Sequence, residues 1–232
     1  MMNGLLLINK PQGWTSFDAV NKVRRAIEAS GLNTTNRKRF PVGHTGTLDP
    51  LAEGLLVVLL GDYTRRAPEL VKASKTYEVV MTLGQTSTTG DEEGEKQVVS
   101  DLQPKLYTIE EVFMSFVGDS MQTPPQYSAI KVNGQRAYKL ARAGKKVELE
   151  PRPIHVARML LLSYHYPDVH FLVEVSSGTY VRALIEDMGK ALTTGAYMKS
   201  LKRTKVGNYD IRDAISPENI TGELIQQNMR SL

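Results

Sequence analysis

The sequence predicts an α+β fold with a mixed or antiparallel sheet. Two observations carry this reading. Segments patterned as strands interleave with segments of helical periodicity, yet no regular βαβ repeat appears. Two alternating runs, Ile154–Tyr166 and Val169–Ser176, meet at Pro167-Asp168 in the manner of a hairpin. The chain has 232 residues, 41% hydrophobic and 23% charged, which suits one folded domain over 1–232 without a linker or internal repeat.

Each element follows from local signals. Gly4–Asn9 is an apolar run ended by Lys10-Pro11-Gln12-Gly13, a buried strand entering a turn. Ser16 precedes Phe17, Val20, Val23 and Ile27, with Asp18 in the first turn and Gly31 past the end, a capped amphipathic helix. Leu32–Pro41 is polar and basic, Val42–Glu53 is rich in Gly and Thr, and both read as loops. Leu55–Leu60, between two glycines, is a buried strand, and Thr76–Leu83 is another. Gly84–Lys96 reads as a polar loop carrying Asp91, Glu92, Glu93 and Glu95. Thr108 with Glu111 forms a capping box for a helix to about Val117. Pro124-Pro125 breaks the chain, and Arg136–Ala143, closed by Gly144, is a short basic helix. Thr179 caps a helix with Val181, Leu184, Ile185, Met188 and Leu192 on one face. Tyr197–Val206 follows as a strand and Pro217–Met229 as a final helix.

Composition removes several chemistries. There is no cysteine, hence no disulfide, thiolate nucleophile or Cys-based metal site, and the cytosol is the simplest compartment. The four histidines form no HExxH pair, so a metal centre is not expected. The longest aliphatic run, Leu55–Leu60, is far short of the ~20 residues of a membrane span. The N-terminus lacks the basic start and cleavage site of a signal peptide.

Net charge is +4 but unevenly spread. Lys131–Arg152 alone is +5, with seven basic residues against Glu148 and Glu150, and Tyr138 lies among them. Lys199, Lys202, Arg203 and Lys205 form a second cluster. Cations interleaved with aromatics suit phosphate contact and base stacking; the alternative is a solvated face.

Three residues carry chemical flags, each with a plainer reading beside it. Asp49 lies in the Gly-rich loop Gly43–Pro50, either as a turn former or as a functional carboxylate. Arg182 sits in the first turn of a helix, where a cation opposes the macrodipole at a cost of a few tenths to ~1 kcal/mol unless an anion neutralises it; otherwise it reaches out to solvent. Tyr77 opens a strand after Lys75, where a tyrosine is usually a packing residue.

These residues belong to longer motifs. Gly43-His44-Thr45-Gly46-Thr47-Leu48-Asp49-Pro50-Leu51-Ala52-Glu53-Gly54-Leu55-Leu56 resembles the catalytic motif of the TruB family of tRNA pseudouridine synthases. Lys10-Pro11-Gln12-Gly13-Trp14-Thr15-Ser16 is similar to that family's first motif, and Ser177-Gly178-Thr179-Tyr180-Val181-Arg182 to its third. Lys75-Thr76-Tyr77, Gly84-Gln85-Thr86-Ser87-Thr88 and Gln122–Lys131 also fit, in order, from about Gly4 to Val206.

The resemblance implies the pseudouridine synthase fold, a mostly antiparallel sheet flanked by helices with a thumb insertion at about 122–152. It implies isomerisation of uridine 55 in the tRNA T-arm: the N1–C1′ bond breaks, the uracil turns, and C5 rejoins the sugar. It implies no cofactor, no metal, no membrane, a cytoplasmic location and a monomer. Asp49 corresponds to the essential aspartate, which attacks C1′ or removes the C2′ proton. Arg182 corresponds to the arginine paired with it, and Tyr77 to the tyrosine that stacks on the flipped base. His44, Gly46, Thr47, Tyr180 and Leu201 fall to substrate binding. Lys131, Arg136, Lys139 and Arg142 of the thumb fall to the RNA. Lys10, Pro11 and Gly13 hold a structural motif. Two departures stand out. Asn208–Leu232 is too short for the C-terminal PUA-type domain of many members, and the Leu32–Phe40 loop is longer than in compact ones. An RNA-binding protein without essential catalysis and an N-glycosidase that hydrolyses the same bond remain as other classes.

Overall fold

The computed structural model describes residues 2–33, 39–128, 130–132, 134–144 and 147–231, with backbone alone at Lys131, Arg136, Tyr138 and Arg142. The chain forms two compact units, Met1–Glu78 with Leu201–Leu232, and Val79–Ser200.

In the first unit Gly4–Lys10 (β1) leads through a turn into the helix Ser16–Ala29 (α1). Val42–His44 (β2) and Glu53–Leu60 (β3) flank the Gly-rich loop, and β1 runs antiparallel to β3 from Gly4↔Leu60 to Lys10↔Gly54. A 3-10 turn Gly61–Arg66 and the short helix Ala67–Val71 (α2) precede Lys75–Leu83 (β4). The sequence is continuously apolar in β1 and β3 because both faces are covered. Leu6, Ile8, Leu56, Val58 and Leu60 pack with Val23 and Ile27 of α1 and Ile225 near the C-terminus. Leu5, Leu7, Leu55, Val57 and Leu59 form a second core against Tyr63, Leu70 and Tyr209.

In the second unit Gln85–Ser87 (β5) and Lys96–Val98 (β6) pair as a small antiparallel ribbon. The helix Leu106–Phe116 (α3) follows, then Gly118–Gln122 (β7). Lys131–Val132 (β8) and Gln135–Arg136 (β9) make a hairpin that feeds Ala137–Arg142 (α4). Arg152–His165 (β10) and Asp168–Val175 (β11) form the long hairpin, with β7 antiparallel on the free edge of β10. Along β11 every second residue is buried, and Phe171 meets Phe113 of α3 with ring centroids 4.9 Å apart. The helix Val181–Ala191 (α5) precedes Ala196–Val206 (β12). Back in the first unit, Tyr209–Asp210 (β13) pairs antiparallel with β12, β12 runs parallel to β3 at Lys202↔Glu53 and Arg203↔Gly54, and Gly222–Asn228 (α6) is the last helix. The parallel β3/β12 pair makes the pairing mixed, and antiparallel pairs predominate, as expected of the α+β class.

Several local expectations are corrected. Val42–Glu53 is not all loop, because Val42–His44 pairs with β3. Gly84–Lys96 is not all loop, because its ends form the β5/β6 ribbon. Pro217–Met229 contains a helix only over Gly222–Asn228, opened by Thr221. Three caps are also misplaced by the sequence reading. Thr15, not Ser16, caps α1 through a complete capping box with Asp18. Thr108 lies inside α3, whose N-cap is Lys105, and Thr179 lies before Tyr180, the N-cap of α5. Residues 34–38 of the Leu32–Phe40 loop lie outside the described residues.

The corrected caps are testable. Replacing Thr15 by Ala should lower stability to urea by about 1 kcal/mol, while Thr108→Ala should stay within about 0.5 kcal/mol of wild type. Equal losses from the two would place the cap of α1 elsewhere.

Candidate active site

The Gly-rich loop of the first unit is held mainly through its backbone. Ser16 is released from capping duty and is 3% exposed. Its hydroxyl donates to the Leu48 carbonyl at 3.0 Å and accepts from the Leu48 N–H at 2.8 Å. On the other side of Asp49, the Gly13 N–H donates to the Pro50 carbonyl at 2.8 Å, and the Ala52 N–H donates to the Asp49 carbonyl at 3.1 Å. Gly13 does this at φ 85°, a conformation that favours glycine. Leu48 and Ala52 are buried, whereas Thr47, Asp49 and Pro50 are exposed. The loop is thus anchored by apolar residues on both sides of a carboxylate that faces outward.

His44 and Gly46 are brought together: the Gly46 N–H donates to His44 Nδ1 at 3.3 Å. A ring nitrogen that accepts carries no proton. Burial, and then the nearby charge of Arg203, hold the His44 pKa below its usual value, in keeping with a neutral ring. Lys10 is fully buried, and its ammonium donates to the carbonyls of Pro11 at 3.0 Å and Trp14 at 2.6 Å. It closes the turn that carries Gly13 and Ser16 toward the loop. Burial pulls its pKa down to about 8, against the raising effect of Asp49 and Glu53. Lys75 is similar: its ammonium donates to Val71 and Ala73 carbonyls, and burial followed by Arg203 lowers its pKa to about 8. Tyr77 follows two residues later on the same buried face of β4 and is 9% exposed. Leu201 is half-buried on β12.

In the second unit two of the quoted motifs, Gln122–Lys131 and Ser177–Arg182, meet at Arg182 together with Thr89 and Asp91, which follow a third. The Arg182 guanidinium donates to the Thr89 carbonyl at 3.1 Å and the Tyr127 carbonyl at 2.9 Å, and it pairs with Asp91 at 3.5 Å. Both members of that ion pair are buried, with side chains 9% and 8% exposed. Asp91 is further fixed by Thr89 and by the Glu93 N–H. Tyr180 exchanges two hydrogen bonds with the Gln122 amide, at 2.8 and 3.1 Å. Glu186 stands close by, and burial raises its pKa. The sequence reading missed Asp91 because it opens an acidic run that resembles a solvated face. It missed Ser16 because a serine before a helix reads as a cap.

The basic clusters fare differently. Lys139 is exposed on α4, while Lys131, Arg136 and Arg142 are placed by backbone alone, and Lys145 and Lys146 lie outside the described residues. The second cluster does not form an open basic face. Lys199 pairs with Asp168, Lys202 with Glu53 and Lys205 with Asp210, and Arg203 is buried. Among the described residues no helix is long and apolar enough to cross a membrane.

With this geometry in view, the comparisons are specific. A model described as TruB family pseudouridylate synthase (N terminal domain) matches residues 33–181, and one for the tRNA pseudouridylate synthase B C-terminal domain matches 182–231. The chain is 41% identical over 222 residues to the tRNA pseudouridine synthase B of Stutzerimonas stutzeri, covering 94% of this chain and 68% of that protein. It is 42% identical over 219 residues to the protein of the same name from Pseudomonas aeruginosa, covering 94% and 69%. A chain in the crystal structure of a Cbf5-Nop10-Gar1 complex matches with TM-score 0.71 at 28% identity, over 98% of this chain and 60% of that one. A chain in the structure of an H/ACA RNP bound to a substrate RNA containing 2′-deoxyuridine matches with TM-score 0.64 at 28% identity, over 92% of this chain and 50% of that one. The chain therefore spans only half to three-fifths of those two structural relatives. The family models and the 28%-identical solved chains set this fold among the pseudouridine synthases. Within that class the chain belongs to the TruB family.

The buried lysines make a pH prediction. An unfolded lysine keeps its proton to about pH 10.4, whereas folded Lys10 and Lys75 release theirs near about 8. Between those values the unfolded chain binds more protons, so these groups make stability rise with pH there. Lys10→Met should flatten that rise when urea unfolding is compared at about pH 7.5 and about pH 9.5. An unchanged difference would show that Lys10 titrates normally in the fold.

Proposed function

We propose that this chain converts a uridine of tRNA to pseudouridine, that the target is uridine 55 of the T-arm, and that it acts in the cytoplasm as a monomer. One observation supports this most directly: Asp49 is exposed at a point where both flanking residues are fixed, Leu48 by Ser16 and Pro50 by Gly13. Such a carboxylate is reached from solvent while the backbone on both sides of it is held in one place, as catalysis at a sugar requires. The target base leaves the loop stack so that its glycosidic bond reaches Asp49. Asp49 attacks C1′ or removes the C2′ proton, and the N1–C1′ bond breaks. The uracil turns and C5 bonds to C1′ as the Asp49–C1′ bond breaks or, on the other route, as Asp49 returns the proton to C2′. The C5 proton is then released to solvent and N1 takes up a proton, so no atom is gained or lost overall. Tyr77 offers an aromatic face and a hydroxyl for that proton transfer. We assign Arg182 a catalytic part because it closes the third motif, Ser177–Arg182, as a buried cation at the start of α5. The thumb segment carries Lys131, Arg136, Lys139 and Arg142 toward RNA phosphates, and recognition rests on loop shape and splayed bases.

T-arm RNA labelled with tritium at uridine C5 tests the reaction. Wild type should release tritium and leave the strand intact, and Asp49→Asn should lower the rate by roughly 10⁴-fold or more. Free uracil in the products would instead identify an N-glycosidase, and no release by wild type would overturn the proposal.

Neutralising Lys131, Arg136, Lys139 and Arg142 together should weaken RNA binding and flatten its logarithmic salt slope, by about 0.7–0.9 for each phosphate no longer neutralised. A slope equal to that of wild type would remove the thumb from the RNA interface.

A further inference from the structure

Arg203 belongs by sequence to a cluster of surface cations, yet its side chain is among the largest fully buried ones, at 2% exposure. Among the described residues no carboxylate lies within ion-pair distance of it. A buried guanidinium without a counter-ion is costly, so its hydrogen bonds matter. Its Nε donates to the Leu55 carbonyl at 2.7 Å and its Nη2 donates to the Gly46 carbonyl at 3.0 Å. Those two carbonyls bracket the segment Thr47–Gly54, which contains Asp49. The planar fork therefore ties together the two ends of the loop at its base.

The Arg203 backbone meets the same segment. Arg203 pairs with Gly54 in the parallel register of β12 and β3. Gly54 has φ 105°, and a Cβ placed there would lie 2.4 Å from the Arg203 carbonyl oxygen. A Cβ on Gly46 would lie 3.4 Å from Arg203 Nη1. Two glycines of the loop thus leave room for one arginine.

We infer that Arg203 is a positioning residue for Asp49: its guanidinium closes the base of the Thr47–Gly54 loop and sets where the carboxylate stands. The inference rests on the reaction proposed above. Arg203 does not contact RNA, since it is sealed from solvent, so its effect falls on turnover and not on binding. Lysine keeps the charge but presents one nitrogen in place of a rigid fork, and it does not bridge both carbonyls in the same geometry.

The test combines the tritium assay with hydrogen exchange on Arg203→Lys and Arg203→Met. Both variants should lower kcat by roughly 10²-fold, the scale of a 1 Å misplacement, with KM for RNA within about twofold of wild type. Backbone amides of residues 45–52 should exchange faster, while those of α1 keep their protection. Wild-type kcat in Arg203→Lys would overturn the inference, as would a raised KM at unchanged kcat. Loss of protection throughout the first unit, or failure of both variants to fold, would show a general structural role and overturn it equally. If wild type itself releases no tritium, the reaction reading fails, and the exchange data alone decide whether Arg203 holds the loop.

Discussion

The two-way hydrogen bond between the Ser16 hydroxyl and the backbone of Leu48 is the contact on which the Gly-rich loop around Asp49 depends. A Gly- and Thr-rich segment has little intrinsic reason to adopt one conformation, and fixing each residue opposes about 1–2 kcal/mol of backbone entropy. A hydroxyl that satisfies both the N–H and the C=O of one residue removes rotation at that residue without placing a side chain in the way. Leu48 can then be buried while Asp49, the next residue, faces outward. The first motif acquires its meaning from this contact. Lys10 closes the turn, Gly13 reaches Pro50, and Ser16 grips Leu48. Because Thr15 takes the capping task, Ser16 is free for the loop.

The second unit solves a related problem by electrostatics. A cation in the first turn of α5 is disfavoured by the helix dipole, and burial adds a desolvation cost. Asp91 offsets both, and the Thr89 and Tyr127 carbonyls occupy further guanidinium donors. Removing one partner of such a pair leaves a buried uncompensated charge, typically a loss of about 3–5 kcal/mol, so Asp91 and Arg182 are bound to each other as a unit. Gly90, at φ 74°, gives the turn before Asp91 a left-handed conformation that favours glycine.

How legible this was depends on which physical signal each residue carried. The strands β1 and β3 were readable because burial on both faces leaves an unbroken apolar run, and β10/β11 because a long alternating hairpin is a strong pattern. The residues Asp49, Tyr77 and Arg182 could be flagged, but spacing alone left each with a plainer reading, and the longer motifs supplied the site. What escaped was set by tertiary partners. Ser16, Thr108 and Thr179 all have cap chemistry, and which threonine or serine caps a helix is decided by where the chain enters it. β2, β5 and β6 are three residues each, too short for a periodicity to register. Asp91 and Arg203 were hidden among like-charged neighbours that do face solvent.

That last failure bears on how the charge is used. The basic residues of the first unit divide into two populations that a net charge of +4 does not separate. Lys10, Lys75 and Arg203 are buried and direct their donors to main-chain carbonyls, so they shape the fold around the loop and act beyond it only through their field. Lys202 and Lys205 remain at the surface beside Glu53 and Asp210, where such pairing contributes only about 0–1 kcal/mol. The surface cations are thus weakly held, whereas the buried ones fix the backbone around Asp49. One population shapes the chain around the loop, and the other stands at the surface.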